Sequence, residues 1–159
     1  MLFRSASATL AGFDLEPHAS VGAQVLLAQV LRRRGDLPAA LHELDAALAV
    51  GTAPALLFPR RQLLAHRAGT LLDLGRAEEA LAAAREAVVS PCEDVRSQVY
   101  SLRALGAALR ATGRPEQARA ALEEALQVSR STGQRSEIAA TERLVAGQHG
   151  QAVPGGTAG

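Results

Sequence analysis

Residues His66 to Val88 read HRAGTLLDLGRAEEALAAAREAV, a run of apolar residues at helical spacing that one internal Gly-Arg pair interrupts. Two further segments align with it without gaps. They are LLAQVLRRRGDLPAALHELDAAL, from Leu26 to Leu48, and ALGAALRATGRPEQARAALEEAL, from Ala104 to Leu126. Self-similarity at a nearly fixed spacing is the sequence signature of repeat architectures. The sequence therefore predicts three copies of one structural unit.

The three copies share a glycine, a leucine and three small residues at fixed offsets. The glycines are Gly35, Gly75 and Gly113, which lie 40 and 38 residues apart. Because glycine adopts positive φ without strain, each is expected to end one helix and let a second fold back on it. Such a hairpin cannot bury its apolar face alone, whereas a stack of hairpins can. The other shared positions hold Leu31, Leu71, Leu109; Ala28, Ala68, Gly106; Ala40, Ala80, Ala118; and Ala47, Ala87, Ala125.

The composition favours helices throughout. The chain of 159 residues contains 34 Ala and 24 Leu, but only one Ile and four aromatic residues. Ala and Leu lead the helix propensities, and the residues that favour strands are scarce. Cys92 is the only cysteine, so no internal disulfide is possible, and a chain of this length needs none to form a core. We therefore expect an all-α domain.

The pattern of small residue, glycine and two small residues resembles the tetratricopeptide repeat family between Val21 and Thr132. The spacing exceeds the family's usual period of about 34 residues, and leucine stands where the first helix often has a large aromatic residue. Longer units of this kind resemble helical-repeat domains at the C-terminus of large bacterial signalling ATPases and transcription regulators. The resemblance implies a right-handed α-solenoid of three helical hairpins plus a C-terminal capping helix. A looser helical bundle is the structural alternative.

The predicted boundaries follow from caps, prolines and glycines. Residues 1–16 are expected to be a partly ordered N-terminal segment, 17–146 the repeat domain, and 147–159 a disordered Gly-rich tail. The predicted helices are 17–34; 36–50, with Asp36 as N-cap; 59–74, from Pro59; 76–89; a fifth that starts in a capping box at Ser90-Pro91-Cys92-Glu93 and ends at Thr112; 114–130; and 136–145.

No catalytic motif was found in the sequence. A phosphate loop of the GxxxxGK type requires a lysine, which the chain lacks, and no GxSxG elbow is present. The four histidines have no metal-ligand spacing, and Cys92 is interpreted as an inert, partly buried thiol. We therefore expect no enzyme activity, no cofactor and no metal. An enzyme of unrecognised type is retained only as a remote alternative.

Charge and hydropathy exclude two further classes of partner. The 17 basic residues, all Arg, nearly balance 16 acidic ones, so the chain has no excess of cations for direct nucleic-acid binding. No run of about 20 apolar residues is present that would span a membrane. The chain is expected to be soluble and cytoplasmic, and its oligomeric state is left open.

The resemblance implies a protein or peptide partner on a concave surface lined by the first helix of each hairpin. Several Arg there would suit an acidic peptide, although Arg is the only cation in use and is expected on any wet face. The positions that bind a C-terminal carboxylate in one subfamily hold Val25, Gln29, His66, Tyr100 and Ala104, so that clamp is absent. The alternative function is a sensor or effector-binding region of a bacterial signalling or transcription regulator. The inward-facing positions are Val25, Ala65, Leu72, Ala107 and the predicted partner-binding residues Gln29, Arg32, Arg33, Gln62, Asp73, Tyr100, Arg103 and Arg110.

Overall fold

The computed structural model describes residues 17–50, 57–91, 94–133 and 135–149, and within these ranges the chain forms seven α-helices and no β-strand. The helices are α1 (Pro17–Arg33), α2 (Leu37–Val50), α3 (Leu57–Asp73), α4 (Ala77–Val89), α5 (Val95–Ala111), α6 (Pro115–Ser131) and α7 (Arg135–His149).

The helices pair and stack in chain order. The helix pairs α1–α2, α3–α4 and α5–α6 form three hairpins, and each hairpin packs on the next. The first helices of the hairpins, α1, α3 and α5, lie side by side, and α7 packs against α6 and the edge of α5. The predicted all-α solenoid of three hairpins with a capping helix is confirmed.

Each hairpin turns at its repeated glycine, as predicted. The φ angles of Gly35, Gly75 and Gly113 are +83°, +74° and +74°. At the second turn the Gly75 N–H donates to the Leu72 carbonyl and the Arg76 N–H to the Leu71 carbonyl, both at 2.9 Å. The other two turns have the same pair of hydrogen bonds. This arrangement satisfies carbonyls that the end of a helix would otherwise leave unpaired, and it requires the left-handed residue.

The repeated small residues lie where the helices approach most closely. Ala80 and Ala87 are both 0 % exposed, and the other small and leucine positions of the repeat are buried as well. Gly106 shows how close the approach is, because a Cβ there would lie 2.7 Å from Leu122 Cγ of α6. The packing between α5 and α6 therefore depends on the absence of a side chain at this position.

The predicted capping box at the start of the fifth helix is wrong. Ser90 instead ends α4, and its hydroxyl donates to the Glu86 carbonyl at 2.8 Å. Asp94 caps α5, because its Oδ2 accepts from the Ser97 N–H at 2.7 Å. A carboxylate satisfies a free N–H at a helix start as well as a hydroxyl does, and Asp94 directly precedes the helix. The N-cap prediction for Asp36 is confirmed, since its Oδ1 accepts a hydrogen bond from the Ala39 N–H at 3.2 Å.

Two other helix boundaries differ from the prediction by more than one residue. Helix α3 begins at Leu57, so Pro59 lies inside the first turn, where the missing N–H has no helical acceptor in any case. Helix α7 continues to His149, whereas the predicted seventh helix ends at residue 145. Residues 1–16, 51–56, 134 and 150–159 lie outside the described residues, as do Cys92 and Glu93. None of the described helices is both long and apolar enough to cross a bilayer.

We predict that Gly75→Val lowers the free energy of unfolding by more than about 1 kcal/mol, because a β-branched residue resists positive φ. Thermal or denaturant unfolding measures this loss. Gly22→Val is the matched control, since Gly22 is exposed inside α1 and a Cβ there meets nothing within 4 Å. Equal stability of the Gly75→Val variant and the parent would contradict the prediction.

Candidate functional site

The three first helices line an open cavity of about 350 Å³, which we call the first-helix cavity. Helix α1 contributes its C-terminal half, α3 one residue in its middle and one at its end, and α5 one residue of its second turn. Together these side chains place amide, guanidinium, imidazole, carboxylate and phenol groups around one space. The lining residues are Gln29, Arg32, Arg33, His66, Asp73 and Tyr100.

An ion pair joins α1 to α3 at the wall of this cavity. Arg32 Nε lies 2.5 Å from Asp73 Oδ2, and the Arg32 guanidinium lies over Gly69. A Cβ at Gly69 would lie only 2.9 Å from Arg32 Nη1, so the glycine leaves the space that the guanidinium fills. Asp73 compensates the charge of Arg32. The next residue, Arg33, is exposed, and no described carboxylate forms an ion pair with it.

A histidine and a tyrosine join α3 to α5. The rings of His66 and Tyr100 have centroids 5.8 Å apart and are tilted by 45°, and the Arg103 guanidinium lies 5.5 Å from the Tyr100 centroid. Burial, followed by the nearby positive charge of Arg32, lowers the pKa of His66 to about 4. The imidazole is therefore neutral at neutral pH. Its Nε2 is buried and has no hydrogen-bond partner among the residues that the structure describes.

A second ion pair joins α5 to the capping helix. Arg103 Nη1 lies 2.8 Å from Glu137 Oε2 of α7, and the two side chains are 21 % and 12 % exposed. This is more burial than in the other ion pairs of the described residues. The positive charge of Arg103 is therefore compensated within the chain. The Arg103 guanidinium lies beside the Tyr100 ring and pairs with Glu137, so it does not present a free cation.

The structure gathers five of the eight predicted binding residues at the first-helix cavity: Gln29, Arg32, Arg33, Asp73 and Tyr100. The other three lie elsewhere. Gln62 is half-buried on α3, Arg103 pairs with Glu137, and Arg110 is exposed at the end of α5. Two of the apolar positions assigned to the concave surface, Val25 and Ala65, are buried at 7 % and 6 % exposure and belong to the core.

His66 is the cavity residue that the predicted binding set missed. In the sequence analysis it appears only as the occupant of an absent clamp position. The available signal is its position four residues after Gln62, because residues four apart share one side of a helix. Its burial and its contact with Tyr100 are not visible in the sequence, since both depend on how α3 and α5 pack.

A second cavity, of about 360 Å³, lies between α2 and the turn that joins α3 to α4. Leu41 and Leu74 form part of its wall. Its carboxylate, Asp45, already accepts from Arg67 at 2.7 Å, and its guanidinium, Arg76, pairs with the neighbouring Glu79. The first-helix cavity, where no described carboxylate pairs with Arg33, is therefore the stronger candidate for recognition of a polar ligand. In the described ranges, no group of three or more His, Cys, Asp or Glu residues could hold a metal ion.

Stacked helical hairpins with a cavity between their first helices define a helical-repeat protein of the solenoid class. Residues 99–132, which extend from α5 to the end of α6, match the family model of the tetratricopeptide repeat. The match identifies the third hairpin as such a repeat and confirms the resemblance predicted from the sequence. No curated protein matches the chain significantly.

Proposed function

We propose that this chain is a protein-interaction module and that its first-helix cavity binds a segment of another protein or a peptide. Tetratricopeptide repeats generally mediate protein–protein interaction, and the third hairpin matches that family. The observation that supports this site above others is the convergence of side chains from three successive hairpins on one cavity. We take this face to be the concave surface that the resemblance to the family implies.

The chemistry of the cavity suits a peptide. Tyr and Arg are enriched among the residues that dominate binding energy at interfaces, and the cavity contains Tyr100, Arg32 and Arg33. The ion pair of Arg32 with Asp73 and the contact of His66 with Tyr100 hold the walls in place before a ligand arrives. A preformed site loses less conformational entropy on binding. These features serve binding and require no cofactor.

The proposal is tested by filling the cavity. Peptides that bind the parent chain are first selected from a displayed library of random sequences. We expect Gln29→Trp to weaken their binding at least about tenfold, because an indole at this wall takes up space that the peptide needs. Gln127→Trp, the same change at an exposed position of α6, is the matched control.

The two variants are also compared by circular dichroism and thermal unfolding, so that loss of binding is separated from loss of fold. If Gln29→Trp and Gln127→Trp bind the selected peptides equally well while both remain folded, the assignment of the cavity fails. A selection that enriches no peptide contradicts the proposed function itself.

A further inference from the structure

We propose that the first-helix cavity selects a segment that places an acidic side chain beside a large apolar one. This inference rests on the proposed function and names the chemistry of the partner. Three independent observations support it: the balance of charges at the cavity, the excess of hydrogen-bond donors in its wall, and an exposed apolar strip on α1.

Among the described residues, the charge balance leaves one cation available at the cavity. Asp73 compensates Arg32, and Glu137 compensates Arg103, both across helix boundaries. Arg33 is exposed on the last turn of α1, and no described carboxylate forms an ion pair with it. A guanidinium presents several N–H donors in a fixed plane that matches a carboxylate, so an acidic side chain is its natural partner.

The remaining polar groups of the wall favour an acceptor. Asp73 is the only carboxylate in the lining, and its Oδ2 already accepts from Arg32. The Gln29 amide and the Tyr100 hydroxyl both offer hydrogens. An ionised carboxylate only accepts, so it satisfies these donors without leaving an unpaired hydrogen of its own.

The apolar strip consists of Leu26 and Val30 and lies on α1, the helix that also carries Arg33. Leu26 and Val30 are 65 % and 41 % exposed, and among the described residues only two other large apolar side chains, Val50 and Val89, are comparably exposed. They are four residues apart, and Val30 lies three residues before Arg33, so the strip borders the position of the cation on the surface of α1. A partner residue next to the acidic one, if large and apolar, would cover this strip. The removal of that apolar area from water would add to the affinity.

The test uses the peptides selected from the random library described above. We expect the enriched sequences to share an Asp or Glu next to a Leu, Ile, Phe or Met. Replacement of that acidic residue by its amide in a synthetic peptide should weaken binding to the parent chain about tenfold, as expected for a hydrogen-bonded ion pair. The same peptide change should have little effect on binding to the Arg33→Gln variant, because that variant has already lost the ion pair that the change removes. Arg85→Gln, at an exposed position of α4, is the control and should behave as the parent.

Two further arms test the details. A phosphoserine in place of the acidic residue should bind no better than the carboxylate; markedly tighter binding would overturn the assignment of the anion as a carboxylate. Leu26→Ser should weaken the selected peptides about threefold. If it leaves peptide binding unchanged but alters the sedimentation of the protein or its stability, a second copy or another segment of the chain covers the strip, and the apolar half of the inference is wrong.

The two proposals fail in different ways. Peptides that Gln29→Trp blocks, but that show no acidic preference and no coupling to Arg33, would overturn this inference and leave the proposed function intact. The absence of any enriched peptide, or enrichment of peptides that ignore Gln29→Trp, would overturn the proposed function and this inference with it.

Discussion

Ala80→Leu is expected to lower the free energy of unfolding by about 3 kcal/mol, because overpacking a closed core forces side chains and backbone apart. Ala80 is 0 % exposed and lies in the core cluster that joins the second and third hairpins. Its neighbours there include Ala84 and Ala118, which are also 0 % exposed, so the cluster has no space for the additional carbons of a leucine. Denaturant unfolding measures the change.

Ala82→Leu is the matched control for that prediction. Ala82 lies two residues further along α4 and is exposed. The same substitution there should change the free energy of unfolding by less than about 0.5 kcal/mol. Equal losses in the two variants would show that leucine is disfavoured in this helix for a local reason. No loss in either would show that the hairpins do not stack through alanine-sized contacts.

Acidification is expected to destabilise the chain through His66. Its pKa is lowered from 6.5 to about 4 in the folded protein, so between these pH values the unfolded chain binds more protons than the folded one. The contribution of His66 to the free energy of unfolding is therefore fully present above about pH 6.5 and is lost as the pH falls towards 4. The loss amounts to up to about 3 kcal/mol, at roughly 1.4 kcal/mol for each pKa unit.

The contribution of His66 is isolated by comparing variants across the pH range. His66→Gln removes the titrating group, and we expect its free energy of unfolding to fall less steeply between pH 7 and 4, since ion pairs then contribute alone. His42→Gln is the control, because His42 is exposed on α2. If the parent and His66→Gln show the same dependence on pH, the imidazole is not held neutral by burial.

The repeat architecture is predictable from the sequence because its determinants are local and periodic. A glycine that needs positive φ affects the chain within a few residues, and Gly35, Gly75 and Gly113 each close a turn. The alanine and leucine positions recur at offsets that place them on one side of a helix, so their burial follows from the same pattern. These two kinds of signal suffice for the number of hairpins, their order and most of the helix ends.

What the sequence did not predict depends on contacts between distant residues. Arg61 is only 9 % exposed and donates to the Ala87 carbonyl at 2.9 Å and to the Val88 carbonyl. The guanidinium, which belongs to α3, thus provides hydrogen-bond donors for carbonyls at the C-terminal end of α4, and Arg61 and Ala87 are 26 residues apart in sequence. The cap of α5 is different, because there the wrong prediction of Ser90 in place of Asp94 has a local cause. Both residue types are good caps, and their position relative to the first turn decides between them.

The electrostatic character of the first-helix cavity was also beyond prediction. Four Arg in the predicted binding set indicate a strongly basic groove. The structure shows that Asp73 and Glu137 compensate two of them, Arg32 and Arg103. The acid–base pairs join residues 41 and 34 positions apart, so no local pattern reveals them. Because two of the four cations are compensated, we expect a ligand with a single acidic residue that pairs with Arg33, not a peptide that is acidic throughout.

The most direct test of a partner site between the first helices is photo-crosslinking of a selected peptide to the folded chain. Photo-methionine, whose diazirine side chain is close to glutamine in size and leaves the cavity open, is introduced in place of Gln29 at the cavity wall, and separately in place of the exposed Gln127 on α6. The proposed site predicts a peptide adduct from position 29 that excess unlabelled peptide suppresses, and none from position 127. An adduct at position 127 with none at position 29 would place the partner on the second helices and contradict it.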